Sequence, residues 1–295
     1  MNAPVAVVTG ANSGIGRATT LHLASKGMRV FGTVRDATKA TKLLAMAEDA
    51  GVAVELAELD VADDDSVKRG FADILTRAGR VDLLVNNAGI GGNAVAEECP
   101  PSFYHEVMNV NLYGAVRCVQ QVLPGMRERR SGCIVNISSL VGKFAAIGQS
   151  PYVASKFALE GLSDGMAQEL APFNIRVAIV EPGVTKSAIF AKNPDVPQTT
   201  GAYDRAYRRM FQFYAAGIPL ATDPLEVAEA IWTAYSTDKP VLRYVTSWAG
   251  TGTVDGRANI SDADWVALGA IEDDAEYYRR FKGFFGVDIA PKRAG

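Results

Sequence analysis

The sequence predicts an α/β protein built on a doubly wound, seven-stranded parallel sheet with helices on both faces, a three-layer αβα arrangement. Short apolar runs alternate with segments of helical periodicity. The runs are continuous in Val, Ile and Leu, which is typical of strands buried on both faces. A regular βαβ alternation of this length implies right-handed crossovers. A glycine-rich turn joins the first run to the first helical segment.

Seven strands and six helices follow from these patterns. The strands are predicted at 4–8, 29–34, 52–57, 81–85, 133–137, 176–180 and 242–246. The helices are predicted at 15–26, 39–50, 64–78, 102–129, 152–170 and 224–236. Acidic residues at 63–65 begin one helix, and Pro101 precedes another by one residue.

No repeat or low-complexity linker divides the 295 residues, so one domain, 1–295, is predicted. Two regions interrupt its rhythm. Residues 185–223 contain an aromatic segment, AYDRAYRRMFQFYAAG, and are predicted to form a lid, because loops of this length in compact domains are usually functional. A C-terminal extension, 247–295, carries aromatic side chains that must pack on the parent domain, on a partner subunit or over a pocket.

Composition excludes several classes of protein. A net charge of −3 without a basic run indicates neither a nucleic-acid partner nor an anionic membrane. No stretch approaches the ~20 apolar residues that span a bilayer, and MNAPVAVVTG lacks the features of a leader, so a cytoplasmic location is expected. Three scattered cysteines indicate free thiols, and with two histidines no metal site is expected.

The turn after the first strand, TGANSGIG at 9–16, has the composition of a phosphate-binding loop. Gly10, Gly14 and Gly16 allow a tight turn, close approach of a phosphate, and packing of the helix on the strand. A pyrophosphate would lie at the helix N-terminus, where free N–H groups and the helix dipole favour an anion. A glycine-rich turn can be only a turn, but its place between strand and helix favours a Rossmann-like dinucleotide site.

The second strand ends in Val34-Arg35-Asp36. An enzyme selective for NAD usually has an acid here to hold the ribose hydroxyls. A guanidinium at Arg35 suits the 2′-phosphate of NADP instead. The alternative is a solvated arginine paired with Asp36. We expect NADP (NADPH) as cofactor, with NAD less favoured.

The stretch GCIVNISSLVGKFAAIGQSPYVASK, 132–156, brings together candidate catalytic groups. Tyr152 and Lys156 are four residues apart and share a helix face, and Ser139 ends the preceding strand. The same spacing recurs at Tyr235 and Lys239, where no glycine loop or serine-bearing strand accompanies it. We interpret that second copy as coincidence.

Taken together, these residues resemble the short-chain dehydrogenase/reductase family in its compact single-domain branch. The resemblance rests on TGANSGIG, on LDV at 59–61, NNAG at 86–89, NVNL at 109–112 with Asn111, YVASK at 152–156, Ser139 thirteen residues before Tyr152, and Pro182-Gly183. Details around Arg35 and in 155–183 are similar to NADP-preferring hydroxysteroid and retinol dehydrogenases. The chain departs from the family pattern at Ser187, with Thr185 nearby, and at Ser13, which replaces a basic residue.

The resemblance implies two sets of site residues. The catalytic set is Ser139, Tyr152, Lys156 and Asn111. The cofactor-binding set is Gly10, Asn12, Ser13, Gly14, Ile15, Gly16, Arg35, Asp60, Val61, Asn87, Ala88, Gly89, Tyr152, Lys156, Pro182, Gly183, Val184 and Thr185. It also implies a homodimer or homotetramer assembled through the helices at 102–129 and 152–170.

Chemistry suggests a role for each catalytic residue. An ammonium at Lys156, together with the positive ring of the oxidised cofactor, would favour the Tyr152 phenolate and bring its pKa down toward the operating pH, which suits a general acid or base. Ser139 would orient a carbonyl oxygen, and Asn111 would hold water of a proton relay. We therefore expect hydride transfer between NADP(H) and a largely apolar ketone, aldehyde or alcohol. The alternatives are a catalytically silent NADP-binding sensor, an NAD-dependent alcohol dehydrogenase, and an epimerase or dehydratase, whose glycine spacing usually differs.

Overall fold

The computed structural model describes residues 3–187 and 197–292. Its strands form one parallel sheet in the order β3-β2-β1-β4-β5-β6-β7, which confirms the predicted doubly wound architecture. The strands are β1 (Val5–Val8), β2 (Arg29–Val34), β3 (Glu55–Glu58), β4 (Leu83–Asn86), β5 (Gly132–Ile137), β6 (Ile175–Pro182) and β7 (Arg243–Thr246). The chain reverses its winding between β1 and β4, and ligands of such sheets bind in the crevice at the carboxyl ends of the strands there.

The helices cover both faces of the sheet. In chain order they are α1 (Gly14–Ser25), α2 (Thr41–Asp49), α3 (Asp64–Ala78), α4 (Pro101–Met108), α5 (Gly114–Glu128), α6 (Ser150–Leu170), α7 (Asp204–Gly217), α8 (Pro224–Ser236), α9 (Gly250–Asn259), α10 (Asp262–Ala270) and α11 (Asp274–Phe285). Side chains of α1 and α8 share one buried cluster, and those of α3, α5 and α6 share another.

Alternate residues of the central strands enter the two clusters. In β1, Val5 and Val7 face the α3/α5/α6 side, whereas Ala6 and Val8 face the α1/α8 side. Residues at i and i+2 of a strand lie on one face, so a strand buried on both faces must be apolar throughout. This is the physical origin of the continuous apolar runs in the sequence.

The helix predicted at 102–129 is interrupted. Five residues, Asn109–Tyr113, form a wide π-helical turn between α4 and α5. The Asn109 side chain donates to the Ala62 carbonyl at 3.1 Å, and a Cβ at Gly114 would lie 2.9 Å from that of Val61. These contacts hold the helix against the loop after β3, and the wide turn accommodates them. Such turns are frequent at functional sites.

The predicted lid contains helix α7. Residues 188–196, including Phe190, lie outside the described residues. The described lid is anchored by the buried carboxylate of Glu98, which accepts hydrogen bonds from the Thr199 and Thr200 amides at 3.1 and 2.8 Å and from the Tyr207 hydroxyl at 2.8 Å. Burial alone would raise the pKa of Glu98, but bonds such as that from Thr200 outweigh it and lower the pKa.

The C-terminal extension packs on the parent chain, one of the three alternatives that the sequence left open. Its aromatic side chains surround Phe144, in the segment after β5, with ring centroids 5.1 Å away at Phe285 and 5.3 Å away at Trp265. Such edge-to-face pairs add to the energy of apolar burial. Helices α10 and α11 thereby lie beside the loop that leads into α6.

The start of the extension is tied to the end of β6. The Val184 amide donates to the Trp248 carbonyl at 2.9 Å. A Cβ at Gly183 would lie only 2.0 Å from that same carbonyl oxygen. Glycine is therefore required at 183 by the close approach of the chain after β7.

Candidate active site

A cleft of about 980 Å³ lies at the carboxyl ends of the strands. It is walled by the loops after β1 to β6 and by the lid helix α7. Seventeen of the eighteen residues predicted to bind cofactor line it; Gly16 does not. Ser139 lines it as well, whereas Asn111 lies outside its walls. The topology thus brings residues from loops that are far apart in the sequence to one cleft across the edge of the sheet.

The glycine loop has the backbone geometry expected of a phosphate site. Gly10 and Gly14 have φ angles of 67° and 52°, in the left-handed region that favours glycine. Gly16 lies behind the loop, where a Cβ would be 2.4 Å from both the Asn87 side-chain nitrogen and the Gly10 carbonyl oxygen. Its role is to let α1 approach β4, and the first turn of α1 then faces the cleft.

Asn86 ends β4 and Asn87 follows it, and their side chains have different partners. Asn87, expected at the cofactor, lines the cleft, and its amide also ties the glycine loop by donating to the Thr9 carbonyl at 2.8 Å. Asn86, expected to tie the backbone, donates instead to the Asn136 side chain at 2.9 Å. Asn136 in turn donates to Ser163 at 2.8 Å, so this buried chain of polar side chains joins β4, β5 and α6.

Two cations lie at the far end of the cleft from Tyr152. Arg35 is exposed and lines the cleft, as does Lys39. Asp36 is engaged elsewhere, because it accepts from the Thr38 amide at 3.0 Å and pairs with Lys39 at 3.2 Å. The alternative that Asp36 neutralises Arg35 is therefore wrong. Within 3–187 and 197–292, no ion pair involves Arg35.

Ser139, Tyr152 and Lys156 lie together at the opposite end of the cleft from Arg35. The first turns of α6 carry Tyr152 and Lys156 to the carboxyl end of β5, where Lys156 Nζ donates to the Ile137 carbonyl at 2.8 Å. The same nitrogen lies 5.6 Å from the centroid of the Tyr152 ring. Ser139 Oγ accepts from the Val141 amide at 3.3 Å and forms a hydrogen bond with Tyr152.

Burial dominates the ionisation of Tyr152 and Lys156 in the chain alone. Burial raises the pKa of Tyr152 to about 12, and the hydrogen bond with Ser139 only partly opposes this. Burial lowers the pKa of Lys156 to about 8, and the Glu160 carboxylate one turn further along α6 opposes it. Desolvation disfavours the charged form of each group. The chain alone therefore does not bring the Tyr152 pKa down, and the lowering expected beside Lys156 and an oxidised cofactor stays a prediction.

Asn111 is buried behind the cleft. Its side-chain nitrogen donates to the Ile90 carbonyl at 2.9 Å and to Ser155 Oγ at 3.0 Å, and its oxygen accepts from the Ile90 amide at 2.9 Å. Both amide hydrogens are thus bound by protein. These contacts join the loop after β4 to α6, and the water-holding role of Asn111 stays a prediction.

Thr185 and Ser187 both line the cleft near Gly183. The Thr185 hydroxyl is buried and lies 2.9 Å from Ser247 Oγ and 3.3 Å from the Gly183 carbonyl. It therefore also fastens the loop after β6 to the end of β7.

A family model described as short chain dehydrogenase matches residues 4–197. The chain belongs to the short-chain dehydrogenase family. The matched segment carries the glycine loop, Asn111, Ser139, Tyr152 and Lys156.

Relatives of this short-chain dehydrogenase extend the comparison to the C-terminal region. The chain is 37% identical to human retinol dehydrogenase 8 over 259 residues, which is 82% of this chain and 80% of the relative. A short-chain dehydrogenase from Streptomyces avermitilis is 35% identical with a TM-score of 0.79, over 96% of this chain and 98% of that one. An alcohol dehydrogenase from Thermococcus sibiricus, complexed with 5-hydroxy-NADP, is 26% identical with a TM-score of 0.69, over 83% of this chain and 96% of that one.

Three polar residues of this dehydrogenase's cleft escaped the sequence motifs. Tyr214 on α7 donates to the Asn93 side chain at 2.9 Å, and both line the cleft with Gln149. Burial, with the neighbouring Tyr152 adding to it, raises the pKa of Tyr214. Nothing in the sequence pairs these residues, since the lid and the loop after β4 meet only in the fold. Of two phenylalanines on α7, Phe213 lines the cleft and Phe211 is exposed.

The second Tyr-x-x-x-Lys spacing is structurally different. Tyr235 is half-buried in the last turn of α8, and Lys239 lies beyond the end of that helix. Neither lines the cleft. The interpretation of this spacing as coincidence agrees with its position.

Over the described ranges, 3–187 and 197–292, no group of three or more His, Cys, Asp or Glu side chains is placed to hold a metal ion. None of the helices in those ranges has the length and apolar character needed to cross a membrane. The three cysteines are buried free thiols.

Proposed function

We propose that this short-chain dehydrogenase is an NADP(H)-dependent oxidoreductase that interconverts a largely apolar ketone or aldehyde with its alcohol. The observation that carries the proposal is the shared cleft, which has Arg35 and the glycine loop at one end and Ser139, Tyr152 and Lys156 at the other. Bound NADPH would supply the hydride for reduction. The protein residues then have to bind the cofactor, orient the carbonyl and deliver a proton.

Tyr152 is the proposed proton donor to the carbonyl oxygen in reduction. With a pKa near 12, its phenol keeps its proton at neutral pH and has one to give. Lys156, with a pKa near 8, is mainly an ammonium at that pH. Its positive charge, close to the phenol ring, favours the phenolate that donation leaves behind.

Ser139 is proposed to hold the carbonyl oxygen. Its hydroxyl lies within hydrogen-bonding distance of Tyr152, so both can address one substrate oxygen. Two donors aimed at the oxygen stabilise the charge that develops on it, and they also fix the carbonyl carbon in one position. Asn111 is proposed to position this group through its bonds to Ser155 and to the loop after β4.

The cofactor's position is proposed from the same walls. The pyrophosphate would lie on the glycine loop, the adenosine between Arg35 and Asp60, and the nicotinamide beside Gly183. The loop 182–185 and Asn87 complete the wall. NADP is favoured over NAD because Arg35 is a cation that Asp36 does not neutralise.

An apolar substrate is proposed from the lid. Phe213 lines the cleft, and the polar atoms of Tyr214 and Asn93 are bonded to each other. A charged or sugar-like substrate would have to break this hydrogen bond before it could bind to Tyr214 or Asn93.

The family's usual assembly supports a homodimer or homotetramer. Tyr113, before α5, is 49% exposed and Phe157, on α6, is 45% exposed in the single chain. Both belong to the helices predicted to form the interface, and burying them would remove apolar surface from water. Sedimentation of the protein at micromolar concentration should give more than one chain per particle.

Substitution of Tyr152 tests the mechanism. Tyr152→Phe should lower kcat for NADPH-dependent ketone reduction by about 10²–10⁴-fold, while the dissociation constant for NADPH stays within about twofold. Tyr235→Phe is the matched control, because it removes a hydroxyl from the other Tyr-x-x-x-Lys spacing, outside the cleft. Near-normal turnover by Tyr152→Phe would refute the proposal.

A further inference from the structure

A second cavity of about 280 Å³ lies beside the cleft, and we call it the distal cavity. Its walls come from the segment after β5, from lid helix α7, and from α10 and α11 of the C-terminal extension. They are mainly apolar, including Phe144, Ile147, Met210, Leu268 and Phe281.

The distal cavity is adjacent to the catalytic end of the cleft. Gln149 and Phe213 line both spaces, so they stand between them. Gln149 precedes α6 by one residue and Tyr152 follows three residues later. A ligand held at Tyr152 therefore needs only to pass these two side chains to enter the second space.

Among the described residues of the cavity wall, one side chain, Arg209, is charged, and this charge is already matched. Arg209 is buried, with 1% of its side chain exposed, and pairs with Asp274 at 2.9 Å. Its guanidinium also donates to the Ile271 carbonyl at 2.7 Å and stacks on the Tyr277 ring at 4.0 Å. An occupant of the cavity meets this group as a packed surface, so recognition there is apolar.

We propose that the distal cavity binds the far end of an unbranched aliphatic chain whose carbonyl is held by Tyr152 and Ser139. This rests on the proposed function and names its substrate class. The two spaces are distinct cavities with Phe213 and Gln149 between them, so a ligand that fills both must be thin where it passes. A flexible hydrocarbon chain meets that condition, whereas a fused-ring ketone does not.

The volume sets the length of chain. An apolar cavity of about 150 Å³ holds a benzene ring, so the distal cavity has room for about ten carbon atoms. Each buried methylene contributes about a fourfold gain in binding. Chain length is therefore expected to control kcat/KM steeply until the cavity is full.

Two glycines in the extension provide a matched pair of variants. Gly269, on α10, lines the distal cavity, and Gly283, on α11, does not. A Cβ at either would meet nothing within 4 Å, and neither has a positive φ angle. Gly269→Leu should fill part of the cavity without straining the fold, and Gly283→Leu adds the same side chain elsewhere.

The assay measures NADPH oxidation with methyl n-alkyl ketones of increasing chain length and with decalone. In the natural protein and in Gly283→Leu, kcat/KM should rise with chain length. In Gly269→Leu the rise should stop early, with at least a tenfold loss for the longest ketones, and values for the shortest ketone and for decalone should be unchanged.

The outcomes separate the two proposals. The same chain-length profile in Gly269→Leu and in the natural protein would overturn the proposal that the distal cavity binds substrate. An effect of Gly269→Leu on decalone as large as its effect on the long-chain ketones would overturn the assignment of the substrate as an aliphatic chain. If no ketone is turned over, the proposed function falls, and calorimetric titration of the longest ketone still decides. Binding that Gly269→Leu weakens tenfold would support the distal site, and no binding to the natural protein would overturn it.

Discussion

Replacing Arg35 by serine should weaken NADPH binding much more than NADH binding. The two cofactors differ by the 2′-phosphate, so only a residue that contacts that group distinguishes them. Arg35 lines the cleft at the end of β2, and Asp36 beside it is held by Thr38 and Lys39. The guanidinium is thus available to a phosphate at that position.

The size of the effect follows from exposure. A hydrogen bond to a charged group contributes about 1.5–3 kcal/mol. Arg35 is exposed at the mouth of the cleft, so solvent screening places its contribution in the lower half of that range. Arg35→Ser should therefore raise the Kd of NADPH by about 13–45-fold, with less than about a twofold change for NADH.

Lys39→Ser is the matched control. Lys39 also lines the cleft, but its ammonium is 3.2 Å from Asp36, which already neutralises it. Its removal should raise the Kd of NADPH by less than about threefold, in the range of an exposed ion pair.

Fluorescence titration of each protein with NADPH and NADH, at low and high salt, measures both constants. High salt should reduce the advantage of the natural protein over Arg35→Ser, because the contact is solvent-exposed. Equal weakening of both cofactors by Arg35→Ser, or a larger effect of Lys39→Ser, would refute this account of cofactor selection.

Three further outcomes are expected. Because burial lowers the pKa of Lys156 to about 8, its ammonium is lost as the pH rises through that value. The kcat/KM for ketone reduction should therefore fall above pH ~8. A pH profile of kcat/KM that stays flat well into the alkaline range would contradict this role of Lys156. Gly183→Ala would place a Cβ 2.0 Å from the Trp248 carbonyl and should cost about 1–3 kcal/mol in urea unfolding, whereas Gly161→Ala, with open space around its Cβ, should be neutral or stabilising. Glu98→Ala should loosen the lid, raising KM more than it changes kcat and speeding proteolysis within the lid; unchanged KM and cleavage would argue against the anchor.

The sheet could be predicted because its cause is local. A strand buried on both faces must be apolar throughout, and the runs at Val5–Val8 and Gly132–Ile137 show that directly. Turn positions such as Gly10 could be predicted for the same reason, since the backbone conformation restricts the residue type. The π-helical turn at Asn109–Tyr113 was missed because one wider turn barely changes the helical periodicity.

Contacts between distant segments could not be predicted. The contact of Asn111 with Ile90 and that of Tyr214 with Asn93 depend on which loops the fold brings together, whereas Asp36 and Lys39 pair locally, three residues apart. The Tyr152 pKa in the chain alone depends on burial, which the sequence does not give. The aromatic extension was left with three possible partners for the same reason.

The placement of the extension has a consequence for the order in which the protein becomes competent during synthesis. The residues that line the cleft lie between Gly10 and Tyr214, whereas α10 and α11, which close the distal cavity, are translated afterwards. Domains generally fold as units, and the cleft loop after β6 is itself fastened to Ser247 and Trp248 of the extension. The cleft and the distal cavity are therefore completed together, once the extension has left the ribosome.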